Sequence, residues 1–471
     1  MIPRFVPVAL AAFLSVPLIA QSTPSTRPPR SLLRQDEDWS RFRADPDSAD
    51  PFDTVKHIAL APEGGTWLSL GGQVDTRFES WDGFGFGATT PGNRDAFLLA
   101  RALAHIDFRL DEHFRVWVEG KSAHSTHRDL PGLHRTSDVD TLDLHQGFVD
   151  YVTGPTHNRL RVRAGRQSFV LGAQRVVTVS PWGNTMNTFD GFSAELETEH
   201  WTLLGLATWF VPVRRYDFNQ LDEHRALYGV YATLRPEPGG RGLDLYALGN
   251  TRPNVSVAGT TGDEDRFTFG FRSFGPLGRL VGGVFDGELE AAYQTGEVGS
   301  HPVDAWFSAG VLGFRPEGVA WAPRVFTGFD AASGDHRPGG SVQTYHQLFA
   351  LGHAYFGWAD VFGRQNILSA HLGLELHPSA STTLIVTGHT FRPERRSDVL
   401  YGTGGTPLPG VGGARDWDLG QELDLIVRQK LGTHVDAYLG YSHFFAGPGI
   451  ARTGGGVEDI DFAYAGASFA F

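Results

Sequence analysis

Arginine recurs on alternate positions of this chain, and that spacing could do chemistry. In RALAHIDFRL, Arg101, His105, Asp107 and Arg109 share one face of an extended strand, while Ala102, Ala104, Ile106, Phe108 and Leu110 share the other. RLRVRA repeats the arrangement, with Arg161 and Arg163 opposite Leu160 and Val162. A guanidinium stays charged and grips a carboxylate through two parallel hydrogen bonds, so such a face suits anions. Lining a narrow wet passage, these groups would replace part of an anion's hydration, weakly and at several places, so that it can leave again. The plainer reading is that the arginines pair with carboxylates of the same faces, such as Asp107, Glu119, Glu195, Glu197, Glu288, Glu290 and Glu375, and stiffen the structure without selecting anything.

Catalytic arrangements fail on spacing. His124 and His127 of HSTH fall in a loop, and HLGLELH sets His371, Glu375 and His377 on one strand face at about 7 Å per step, wide for a chelate. Ser442 and His443 of GYSHF point to opposite faces, so the histidine is not a base for that serine. No glycine loop stands at a strand-to-helix junction. The expectation is a non-enzyme with neither cofactor nor metal.

Period-two alternation begins near Trp67 and largely persists. FRVWVEGK sets Phe114, Val116 and Val118 against Arg115, Glu119 and Lys121, and DFAYAGASFAF sets Ala463, Ala465, Ala467, Phe469 and Phe471 against Tyr464, Gly466, Ser468 and Ala470. Charges are too frequent on the second face for a packed core, whereas a water-filled lumen accommodates them. Breaks alternate between short and long. The short ones fall at 111–113, 154–158, near Glu199, and at 236–241, 275–279, 316–320, 378–381 and 431–433. The long ones fall at 80–96, 122–143, 171–188, 212–223, 251–263, 297–302, 330–364, 392–415 and 447–458. The pattern predicts an all-β, antiparallel transmembrane barrel of about eighteen strands, with short periplasmic turns and long extracellular loops.

The apolar run Phe5–Ala20 behind Arg4 reads as a signal peptide over 1–20, cut after Ala20. Residues 21–66 are assigned to a periplasmic lead, with a short helix over Ser31–Arg43, and 67–471 to the barrel. With 0 cysteines, an exported chain of 471 residues does without disulfides, and its net charge of −13 argues against a nucleic-acid partner. No later apolar stretch approaches the ~20 residues of a spanning helix, so strands must make any crossing. These features place the chain in the outer membrane of a Gram-negative bacterium. Trp209, Trp306, Trp321, Phe469 and Phe471 are expected in its interfacial belt, against lipid.

Several stretches together resemble the alginate export family of outer-membrane porins: LLRQDEDWSRF, KHIALAPEGGTWLSLGGQVDTRFE, RVRAGRQSFVLGAQRVV with PWGNTMNTFDGF, HAYFGWADVFGRQN, and GQELDLIVRQKL with LGYSHFFAGPGI. The resemblance implies an eighteen-stranded monomer that exports an anionic polysaccharide, an alginate-like polyuronate, through an arginine-lined lumen narrowed by inward loops, with a periplasmic export scaffold as a further partner. The candidate lumen arginines are Arg77, Arg101, Arg109, Arg161, Arg163, Arg175, Arg364 and Arg428. Arg166 joins them through the family's GRQ pattern, although it falls on the other parity unless Gly165 permits a bulge. Asp190 of TFDGF and Glu422 with Asp424 of GQELDL lie in matching motifs and are carried over as pathway carboxylates, the alternative being that they orient neighbouring arginines. Trp182 and the apolar centre of the 330–364 loop, with Tyr355 and Trp358, would constrict or stack, unless that loop forms an extracellular cap instead. An uptake porin for small anionic or organic solutes, and a secreted β-rich hydrolase, remain as competing readings.

Overall fold

The computed structural model describes residues 27–40, 42, 50–61, 65–87, 92–155, 157–237, 240–257, 259–280, 282–337, 339–451 and 456–471. The expected signal peptide lies outside them. A two-residue strand, β1 (Ile58–Ala59), lies on the start of β2 (Trp67–Asp82). There follow β3 (Asp95–Arg109), β4 (Phe114–Ser125), β5 (Asp140–Thr153), β6 (Asn158–Gln167), β7 (Phe189–Thr198), β8 (Trp201–Phe210), β9 (Ala226–Leu234) and β10 (Gly242–Val257). The remaining strands are β11 (Thr260–Leu280), β12 (Gly283–Val298), β13 (His301–Pro316), β14 (Arg324–Ala332), β15 (Ile367–Ser379), β16 (Thr382–Arg392), β17 (Gly420–Leu431), β18 (Val435–Ala446) and β19 (Ile460–Ala470).

From β2 onward each strand pairs antiparallel with the next, and β19 pairs back onto β2, from Asp461 opposite Asp82 to Ala470 opposite Gln73. The eighteen strands β2–β19 form a closed barrel. Closure is what a strand-built membrane span requires, because hydrocarbon offers no partner for a free backbone edge. The parity read from the sequence is the parity seen. On β3, Leu98 and Ile106 are exposed outward, and Arg101, His105 and Asp107 are buried inward.

Three breaks differ from expectation. The 297–302 segment, read as a long break, is a tight turn with Val298 paired to His301. The 251–263 segment is the tip of a hairpin in which β10 and β11 stay paired out to Val257 and Thr260. The 275–279 segment is strand: a bulge between Pro276 and Gly278 absorbs the proline, and the turn comes after Leu280. At 21 residues, β11 spans about 70 Å and projects well beyond a bilayer.

The short turns and both ends of the barrel mark the periplasmic mouth. The lead does not hang free below it. Leu33, Arg34, Gln35, Glu37 and Trp39 are buried, and Leu33 packs with Leu103 of β3 and with Val179 and Met186 of the inward β6–β7 loop. The helix expected over Ser31–Arg43 is one 3-10 turn, Arg34–Asp36. A segment that buries side chains on all sides in a mouth has no amphipathic stripe to favour a regular helix. Residues 41 and 43 lie outside the described set.

Trp209 of β8 and Trp306 of β13 are exposed on the barrel's outside, as a belt requires, whereas Trp321 is exposed in the turn between β13 and β14. Phe471 instead stacks on Phe52 of the lead, with ring centroids 4.5 Å apart.

Candidate functional site

Two loops fold into the lumen from the extracellular side: residues 168–188, between β6 and β7, and 333–366, between β14 and β15. They meet in a common apolar core in which Val176, Val177, Tyr345 and Phe356 are fully buried, and Val177 bridges to Phe349. Apolar residues at the centre of a long loop would be costly in water, so the lumen is where they can be covered.

The loops leave a cavity of about 390 Å³ against the wall formed by β2, β3 and β17–β19. Arg77, Arg101 and Arg428 line it, together with Trp182, Trp358, Tyr438 and Tyr464, and Leu32 of the lead lies at its edge. Arg101 holds Asp75 through Nε at 3.0 Å and Nη2 at 2.8 Å, and donates from Nη1 to the Gly183 carbonyl at 2.8 Å. Arg77 donates to Glu79 and to the Trp182 carbonyl, at 2.7 and 2.8 Å, with its guanidinium carbon 3.8 Å from the centre of the Trp182 ring. Two arginines thus tie the tip of the first loop to the wall.

Arg428 differs. It is exposed to the lumen, 5.4 Å from the centre of the Trp358 ring, and among the described residues it makes no ion pair. Beside it Trp182 stacks on His353 at 3.9 Å and meets Trp358 edge-on, while Trp358 lies parallel to Tyr464. Burial, reinforced by Arg77 and Arg428, pushes the His353 imidazole well below its ordinary pKa, so it stays neutral, and neither of its ring nitrogens has a protein partner. Tyr438 and Tyr464 lie flat against the neighbouring strand because Gly466 and Gly440 stand beneath them; a Cβ there would come within 2.5 and 2.1 Å of the rings. Those glycines are required for close approach.

Other predicted residues sit elsewhere. Arg109, Arg161 and Arg163 face the lower lumen, paired with Asp107 at 3.2 Å, Glu195 at 2.7 Å and Asp150 at 2.7 Å. Arg175 and Arg364, one on each inward loop, are fully buried against the opposite wall. Arg175 pairs with Glu288 and Glu290, Arg364 with Asp330 at 2.8 Å, and Tyr355 lies between them, 4.3 and 5.3 Å from their guanidinium carbons.

The assignment of Arg166 and Asp190 to the lumen is corrected. Pairing through Gly165 runs without a bulge, so both keep the outward parity of Leu160 and Val162. There they pair with each other at 2.7 Å, and Arg166 also donates to the Asn219 carbonyl of the β8–β9 loop. Glu422 and Asp424 do face inward, but they accept hydrogen bonds from the backbone N–H groups of Ala359 at 2.8 Å and Trp358 at 3.3 Å. They hold the second loop and are not open to the passage. A Cβ on Gly357 would meet the Glu422 carboxylate at 2.4 Å, so the tight turn and its anchor are built together.

Sequence reasoning missed Asp75, Glu79, His353, Tyr438 and Tyr464. The two tyrosines were legible from parity, each on an inward position facing a glycine across the strand pair. The others depend on where the loops land.

Comparison with known proteins agrees with this architecture. Residues 66–462 match the family described as alginate export. A comparison with curated protein sequences finds no match. Among solved structures, Pseudomonas aeruginosa OpdO is similar at 12% identity and a TM-score of 0.56, over 86% of this chain and 97% of that one. P. aeruginosa OpdK, solved with vanillate, is similar at 11% identity and a TM-score of 0.56, over 85% and 98%. OpdL of the same organism gives 13% and 0.55, over 86% and 98%. At such identities the likeness speaks for the fold. The family and the fold are those of channels rather than enzymes. The match across 66–462, together with the closed barrel and its apolar outer face, establishes that this chain belongs to the alginate export family and is a channel of the Gram-negative outer membrane.

Proposed function

We propose that the channel passes acidic carbohydrate, a polyuronate or its fragments, outward across the outer membrane. The observation that carries this reading is the cavity where Arg428, charged and exposed, stands beside the flat faces of Trp182, Trp358, Tyr438 and Tyr464. A sugar ring offers a C–H face to an aromatic surface, and a uronate adds one carboxylate per ring for a guanidinium to receive. Contacts this few are strong enough to select and weak enough to release.

A second reading, uptake of small organic anions, is favoured by the size of the cavity, which suits one ring more readily than a chain. OpdK, solved with vanillate, is a fold neighbour consistent with it. Single-channel recording in a planar bilayer separates the two. Anion-selective current blocked by polyuronate fragments, and not by neutral dextrins, supports acidic carbohydrate. Block by small aromatic acids alone favours the second reading. A cation-selective channel overturns both.

A further inference from the structure

The lead that fills the periplasmic mouth is acidic where the mouth is basic. Its sequence there is RQDEDW, residues 34–39. Glu37 is satisfied within the lead, by Arg34 Nε at 2.7 Å and by the Trp39 indole N–H at 3.3 Å. Asp36 makes no such bond among the described residues, and Asp38 accepts from Ser40, whose backbone N–H lies at 3.0 Å. Both carboxylates are exposed in the mouth, in the field of Arg161, Arg163 and Arg115 for Asp36 and of Arg109 and Arg159 for Asp38. These five arginines face three wall carboxylates, Asp107, Asp150 and Glu195, while Glu197 is taken by Arg235 at 2.7 Å. Asp36 and Asp38 supply the balance.

The backbone is tied in as well. Arg115 Nη2 donates to the Gln35 carbonyl at 2.8 Å, and Gln146 Nε2 donates to Gln35 Oε1 at 2.9 Å. Arg34 Nη2 donates to the Phe471 main-chain oxygen at 2.9 Å. Leu33 then reaches into the patch made with Leu103, and Leu32 lies at the edge of the cavity that holds Arg428.

We propose that the arginines of the periplasmic mouth form a polyanion-binding site, and that the acidic lead occupies it as a tethered stand-in which an incoming polyanion displaces. The inference rests on the reading that acidic polymers traverse this lumen. A carboxylate every one or two residues along an extended peptide resembles a polyuronate in charge spacing and in being flexible. Exchange of one polyanion for the other conserves the charge balance of the mouth, so the site never stands as a row of uncompensated arginines. A neutral solute gains nothing there and leaves the lead in place. Polymer entry and opening of the mouth are therefore one event.

The chain has 0 cysteines, which permits a direct test. Gln35→Cys places the sole thiol at a buried point of the lead, and its rate of reaction with a charged, membrane-impermeant maleimide reports release. In the full chain reconstituted into vesicles, reaction is slow at low salt. It accelerates about tenfold in 1 M salt, where exposed charges are screened within ~3 Å. Oligogalacturonate at low salt accelerates it comparably, and neutral dextrin does not. Asp36→Asn/Asp38→Asn in the same background reacts fast throughout and no longer responds to oligogalacturonate. A rate indifferent to salt and polyanion overturns the proposal, as does acceleration by salt alone. Should Gln35→Cys fail to give the compact, heat-modifiable band of a folded barrel, Trp39→Cys serves as the reporter. Loss of anion selectivity in the bilayer, with labelling still responsive, counts against the transport reading and leaves the tethered stand-in standing.

Discussion

The wall formed by β10–β15 and the wall formed by β2, β3 and β17–β19 carry the same kinds of side chain toward the same lumen, yet they are wired differently. Along the first, Arg272 of β11 meets Asp244 at 2.6 Å and Glu288 at 3.0 Å, and the two loop arginines seated against this wall are paired with its carboxylates as well, Arg175 with Glu288 and Glu290 and Arg364 with Asp330 at 2.8 Å. Tyr231 and Tyr246 donate into the same ladder, to Asp244 and Glu290. On the second, Arg77 and Arg101 are half committed to a loop and Arg428 is uncommitted among the described residues. An arginine's role in a barrel thus follows from the carboxylates within reach and the loop above it. Alternation decides only that it points inward.

The comparison can be broken most forcefully at Arg364. Arg364→Ala leaves Asp330 buried without its partner, a loss of about 3–5 kcal/mol for a buried pair. The expected outcome is a fall in the temperature at which the compact gel band converts to the unfolded one, together with a larger and noisier conductance as the loops lose their seat. If both are unchanged, the first wall is not the structural one.

Arg428→Gln should do the opposite, leaving the melting temperature alone and altering selectivity. A unit charge about 6 Å from a permeating ion in water attracts an anion and repels a cation by about 0.7 kcal/mol each, so the anion-to-cation permeability ratio should drop about tenfold. Reversal potentials in a salt gradient measure it. An equal drop from Arg364→Ala, with its loops still seated, would erase the distinction between the walls.

The smallest effect concerns pH and the second loop. Asp360 has a positive φ of 55°, and its Oδ1 has no partner. Burial raises its carboxyl from the ordinary 3.8 to about 7, against the pull of Arg135. A raised acid pKa means that the folded loop binds the proton better than the released one. Its contribution to the loop's seat is therefore fully present below 3.8 and is lost as pH rises through about 7. Conductance should be smaller and quieter at pH 5 than at pH 8. Asp360→Asn, which tolerates the left-handed backbone, should hold the low-pH behaviour throughout. A wild-type conductance flat across that window would remove Asp360 from the account of the loop.

Much of the barrel was legible because the side-chain period of a strand is two, and a bilayer outside with water inside imposes opposite demands on alternate residues. Arg101, Arg109, Arg161 and Arg163 were placed inward on that ground alone. Arg166 shows the same rule overriding a motif, since the parity that opposed its lumen role proved correct. The turn expected at 275–279 failed because Pro276 and the glycines around it read as a break, whereas a bulge kept the ladder running.

The sequence by itself determined the class of fold, the strand count and the direction in which each strand residue points, because these follow from local alternation and from the need to satisfy every backbone group in hydrocarbon. Only the tertiary structure decided which arginines are spoken for, that Glu422 and Asp424 clasp a loop, and that the acidic lead sits in the mouth. Those outcomes depend on contacts between residues up to hundreds of positions apart, such as Arg34 with Phe471. Pairing of charges is settled by distance in space, and no periodicity along the chain carries that information.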